Sequence, residues 1–95
     1  MRFDPPEKFA TFWKTLEGCA RIKGNYKAIG WFKADSVSVS GSNYNAYWFG
    51  KWNRVVIRSD QIANDITIKH EMMHALIQNG GHPEKYFDGR CGKLN

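Results

Sequence analysis

Apolar residues along the chain change period twice, and each change marks a different element. Phe9, Phe12, Trp13 and Leu16 recur three and four residues apart, the spacing of one face of an α-helix, while Lys8, Lys14 and Glu17 occupy the other face. Asp4, the Pro5-Pro6 pair and Glu7 supply an N-cap, a helix-starting proline and a capping-box acid. A first helix is therefore predicted from about Pro5 to Glu17, with Gly18 as its stop. An aromatic stripe at this spacing packs into a core far more often than it binds a partner.

From Tyr26 to Val39 the period shortens. Ile29, Trp31 and the alternating Val37 and Val39 predict strands, with a bend at Lys33-Ala34-Asp35. The polar run SVSVSGSNYN that follows is rich in Gly, Ser and Asn and reads as a turn or mobile loop. Ala46 to Phe49 (AYWF) and Arg54 to Arg58 (RVVIR) are the next strands, and the GKWN between them makes a hairpin the economical arrangement. After Ser59, Asn64 or Asp65 can cap a second helix that runs to Gln78 or Asn79 and ends at Gly80-Gly81. Ile66, Met73 and Ile77 share a face with His70, and Met72 and Leu76 flank His74, so this helix should be buried on most sides. Pro83 to Phe87 predict a short final turn or helix.

At 95 residues with 42% hydrophobic content, the chain fits a single α+β domain spanning residues 1 to 95, with one modest core. Fourteen aromatic side chains (four Trp, four Tyr, six Phe) bury much surface per residue and help so small a core. The net charge of +5 is concentrated in two stretches. Lys14, Arg21, Lys23, Lys27 and Lys33 face only Glu17, and Lys51, Arg54 and Arg58 follow without an acid between them. Such a surface admits nucleic acid as a partner without favouring it, because a mild excess of charge more often serves solubility. The opening MRFDPPEKFATFW has no apolar signal-like run and no segment is long enough to span a membrane, so a cytoplasmic location without membrane association is expected. In a reducing cytosol Cys19 and Cys91 read most simply as thiols, with a disulfide as the alternative.

The chemistry lies between Lys69 and Phe87, KHEMMHALIQNGGHPEKYF, which holds all three histidines of the chain. His70 and His74 are four residues apart, one helical turn, so their imidazoles can converge on one ion. Catalytic zinc commonly takes three protein ligands. His82 is the best candidate for the third, because Gly80-Gly81 lets the chain reverse after the helix; Glu84, Asp88 and, less favoured, Cys91 are the alternatives. Imidazole donors in an open site suit one Zn²⁺ ion. Glu71, beside the first ligand, points to the flank of the site, where a carboxylate can serve as general base toward a water that zinc has acidified. Tyr86, four residues beyond His82, is a candidate oxyanion donor, although an aromatic in so small a domain more often serves packing.

These residues resemble the zincin metallopeptidase superfamily. Within it, HEMMHA followed by GGHPEKYF is most similar to the SprT-like group and to short phage and bacterial proteins described as minimal zincins. The likeness covers about residues 64 to 87, with His70, Glu71, His74, His82 and Tyr86 at the places of the family's motif. The connection between the second and third histidines is shorter than usual in the SprT-like group, Pro83 stands where a glycine is common, and no zinc-ribbon cysteines follow. The resemblance implies an N-terminal helix, a small antiparallel sheet of about three strands and an active-site helix carrying HExxH. It also implies a strand bordering the cleft, for which RVVIR is the natural candidate; an exposed edge there could bind a peptide by strand addition. The expectation is a zinc-dependent peptidase in which Glu71 is the general base and Val55 to Ile57 align a peptide or protein substrate. The alternative is a non-catalytic module that zinc only stabilises and that engages nucleic acid or a protein through its basic surface.

Overall fold

The computed structural model describes residues 1–89 and 91. Helix α1 spans Glu7–Ala20, strands β1 to β5 span Gly30–Ala34, Val37–Val39, Ser42–Tyr44, Ala46–Phe49 and Arg54–Arg58, and helix α2 spans Asp65–Ile77. Short 3₁₀ turns at Tyr26–Ala28 and Ser59–Gln61 precede β1 and α2, and a π-helical turn covers Lys85–Gly89. The expected α+β domain, with one helix before the strands and one after them in the chain, is present.

The sheet differs from expectation in direction and order. It is mixed, not antiparallel: β5 lies in the centre, parallel to β1 and antiparallel to β4. The β4-β5 hairpin through Gly50–Asn53 forms as predicted, but β1 reaches β5 only after the chain has passed through residues 35 to 45. That passage contains an antiparallel hairpin of β2, the strand expected from Val37 and Val39, with β3, which falls in the run read as a turn or mobile loop; it turns at Ser40-Gly41, both at positive φ. The outer edge of β1 is covered by the first residues of the chain, where Phe3 N–H donates to Trp31 O at 3.1 Å and Lys33 N–H to Met1 O at 2.8 Å. Of the three strands, β4 therefore presents the open edge, and RVVIR, expected to border the cleft, is the central strand.

Both helices pack on one face of this sheet. Trp31, Val55 and Trp48 are register partners on that face, and they meet Phe9, Trp13 and Leu16 of α1 and Ile68, Met72 and Leu76 of α2 in one core. The ring of Phe9 sits 5.0 Å from that of Trp31. Ile66, placed by sequence on the face of His70, is 66% exposed; one turn before the histidine, it lies where α2 has only begun to meet the sheet.

The helix ends also shift for physical reasons. α1 begins at Glu7 with Pro6 as its N-cap, and no side chain caps it. A residue preceding proline is driven out of the helical region, so Pro5, followed by Pro6, cannot start the helix and Asp4 is left too far away to cap it. The helix continues through Gly18 because Ala20 is buried and Cys19 is bonded, and it ends where Arg21 turns left-handed at φ 57°. Asn64 caps α2 as predicted, its side chain accepting from Thr67 N–H at 3.3 Å. Gln78, not a glycine, takes the left-handed position at the other end. Its amide donates to Ala75 O at 2.6 Å. Cys19 and Cys91, read as thiols, are joined in a disulfide with Cα atoms 5.5 Å apart across 72 residues of sequence.

Candidate metal centre

His70 and His74 project from successive turns of α2 into a pocket also lined by Tyr44, Ala46, Tyr47, Trp48, Glu71, Gly80 and His82. The pocket encloses about 250 Å³, room for a side chain and a few waters but not for a large ligand. The chain after α2 turns back as expected, but the turn is made at Gln78, with neither Gly80 nor Gly81 at positive φ. Asn79 N–H donates to His74 O, the Asn79 side-chain oxygen accepts from Gly81 N–H at 2.7 Å, and His82 arrives opposite His70 with their Nε2 atoms 3.2 Å apart.

The three imidazoles each offer one nitrogen within 4.8 Å of the others. Zinc–nitrogen bonds of about 2.0–2.1 Å at tetrahedral angles put ligand atoms roughly 3.3 Å apart. The His70–His82 separation already matches, and modest ring rotation brings in His74. The tautomer fits as well: His74 Nδ1–H donates to Asn79 O at 2.9 Å, which leaves Nε2 as the lone-pair donor and supplies the outer hydrogen bond that metal-binding histidines normally have. Trp48 stacks on the same ring, 6.4 Å away and 9° from parallel. The donor set and its support thus suit a metal ion, and the alternatives Glu84 and Asp88 lie outside the cluster. Cys91 is taken up by the disulfide.

Burial sets the charge state of the site. It pushes His70 down to about 4, assisted by the neighbouring His74 and His82, and it lowers His74, partly opposed by the bond to Asn79. Both shifts favour the neutral imidazole of His70 and His74, the form that binds metal. Glu71, 8% exposed, is pushed up to about 8 by burial, against a hydrogen bond from the Trp48 backbone N–H that favours the ionised form. That bond has a structural origin. Asn45 O accepts from Arg58 N–H, so in the antiparallel alternation Tyr47 and Phe49 direct their backbone groups to β5, while Ala46 and Trp48 direct theirs to the open edge. Glu71 is held at that edge.

Phe87 is the component that sequence reading missed. Its ring centroid lies 5.0 Å from each of His70, His74 and His82, yet it does not line the pocket. It packs against the triad from outside the pocket that Glu71 and β4 share with the histidines. The only sequence signal was its position five residues after His82. Tyr86, its neighbour, lines a separate hollow with Cys19, Ala20, Arg21, Lys85 and Gly89; the tyrosines lining the metal pocket are Tyr44 and Tyr47.

No protein-family model, no characterised protein and no solved structure matches the chain. No helix among the described residues is long and apolar enough to cross a membrane.

Proposed function

We propose that this chain is a minimal zincin-like metallopeptidase that binds one Zn²⁺ through His70, His74 and His82 and hydrolyses peptide bonds with Glu71 as general base. The observation that carries the reading is the conjunction of three convergent imidazoles and one buried carboxyl in a single pocket beside an open sheet edge. Bound zinc would supply Lewis acidity, polarising the scissile carbonyl and acidifying water. Glu71 takes the proton of the attacking water and passes it to the departing amine, a role served by a carboxyl whose burial raises its affinity for protons. The edge of β4, not β5, aligns an extended peptide by main-chain hydrogen bonds, and Tyr44 and Tyr47, which border the pocket, are the candidate hydroxyls for the developing oxyanion. The Trp48–His74 stack and the His74–Asn79 bond hold the imidazole in register.

The test is cleavage of a quenched fluorescent peptide library by the zinc-loaded protein. Turnover should vanish with chelator and fall at least 100-fold in Glu71→Gln while one zinc per chain stays bound. Undiminished turnover in Glu71→Gln would remove Glu71 from the chemistry, and zinc binding without any turnover would leave a structural metal site.

A further inference from the structure

Two of the three ligands ride on a helix, but the third does not. His82 is exposed and lies in the irregular stretch between α2 and the π-helical turn. Among the described residues its backbone makes no hydrogen bond. What fixes it comes from both sides: Gln78 and Asn79 anchor the near end on α2, and beyond His82 the chain runs through Phe87, packed against all three imidazoles, to Cys91. Cys91 is fully buried in the core and bonded to Cys19 at the end of α1. The far end of the ligand-bearing segment is thus covalently tied to an element that takes no other part in the site.

We propose that Cys19 and Cys91 are positioning residues for the third ligand, so that the metal affinity of the triad follows the oxidation state of their bridge. A segment tethered at both ends samples few conformations, and His82 meets His70 and His74 at little entropic cost; released at one end, it must be ordered each time an ion binds. Opening the bridge is a two-electron exchange. The sulfur–sulfur bond breaks, Cys19 and Cys91 each become a thiol, and two glutathione thiols are oxidised to one glutathione disulfide. The site is then tight where disulfides persist, in an oxidising compartment, and slack in a thiol-rich cytosol.

The inference rests on the triad being a metal site, and one experiment separates the two. Zinc affinity is measured by competition with a chromophoric chelator for the oxidised full-length chain, for Cys19→Ser/Cys91→Ser, for His82→Ala and for the triple variant. The bridge-less protein should bind one zinc at least tenfold more weakly than the oxidised chain, and in the His82→Ala background loss of the bridge should change affinity less than twofold, because the bridge acts through His82. If the oxidised chain binds no zinc, the metal-site reading itself falls. If it binds and the bridge-less chain binds equally well, or if the two losses are additive, only the positioning role is overturned. Should the double variant fail to fold, the wild type is titrated in glutathione redox buffers with zinc occupancy and tryptophan fluorescence read together: release of metal before loss of the native fluorescence supports the proposal, and release only on unfolding refutes it.

Discussion

Ionising Glu71 in the metal-free protein should destabilise the fold, and the size of the effect follows from its surroundings. Burial raises the carboxyl from 4.5 to about 8, a rise of about 3.5 in pKa, and each unit corresponds to about 1.4 kcal/mol. The folded state prefers the protonated acid, so this contribution is fully present below pH 4.5 and is lost as the pH climbs through 8; the full span is about 5 kcal/mol. His70, pushed down to about 4, and His74, also lowered, run in the opposite sense. Their neutral forms are favoured, so they cost stability as the pH falls below about 6.5. Across pH 6.5 to 8 linkage gives a loss of roughly 1–2 kcal/mol from Glu71, opposed by a smaller gain from His70 and His74, which are still partly protonated in the unfolded chain at pH 6.5. Glu71→Gln keeps that histidine gain, so the difference between the two proteins isolates Glu71. For a domain of this size the middle of that Glu71 range is a fall in Tm of roughly 6–12 °C. Thermal unfolding of chelator-treated wild type and Glu71→Gln, followed by near-UV circular dichroism at pH 6.5 and 8, should show the wild type falling by this amount relative to the variant, whose own Tm rises slightly as the histidine cost is lifted. Saturating zinc should abolish the difference, because a cation beside the carboxylate restores its ionised form. Parallel slopes for the two metal-free proteins would refute the assignment of Glu71 as the buried acid.

Three further outcomes are expected. His82→Ala should lower zinc affinity at least 100-fold by competition titration, since two ligands remain; unchanged affinity and stoichiometry would move the third ligand elsewhere. Tyr47→Phe should reduce kcat about tenfold or more with little change in KM if its hydroxyl stabilises the oxyanion, whereas Tyr86→Phe, in a separate hollow, should change neither. Gly24→Ala should cost about 1–3 kcal/mol in urea unfolding, because a Cβ there would lie 2.6 Å from Trp13 Cζ2 and 2.9 Å from Leu76 Cδ1, where α1 and α2 meet.

The parts of the molecule legible in the sequence are those whose cause is local. Asn64 caps α2 because a side chain reaches three residues along its own chain, and His70 and His74 share a face because helical spacing puts them there. The β4-β5 hairpin follows from two short apolar runs and the turn between them. What escaped was decided between distant segments. That β5 is central depends on its pairing with β1, twenty-odd residues earlier, and on Met1–Phe3 covering the other edge of β1; no property of RVVIR distinguishes a central strand from an edge. Cys19 and Cys91 gave no spacing to read, and their pairing follows from the end of α1 lying beside the C-terminal turn. Phe87 looked like any packing aromatic until its ring was seen against three imidazoles. The Asp4 cap failed for a local reason that the sequence did contain, the restriction that Pro6 imposes on Pro5.

This division has a consequence for how the protein and its metal depend on each other. The core formed by Phe9, Trp13, Leu16, Trp31, Val55, Ile57 and Ile68 is closed without help from the histidines, and α2 carries His70, Glu71 and His74 into place as part of that packing. Only the segment around His82 is left for the metal to order. If the triad binds an ion as proposed, binding completes a site on a preformed fold, unlike small metallo-domains whose chain collapses only around its ion. Chelation should then leave far-UV circular dichroism almost unchanged while amide exchange quickens between residues 79 and 89. Exchange that quickened equally in β5 and α1 would show instead that the metal holds the whole domain together.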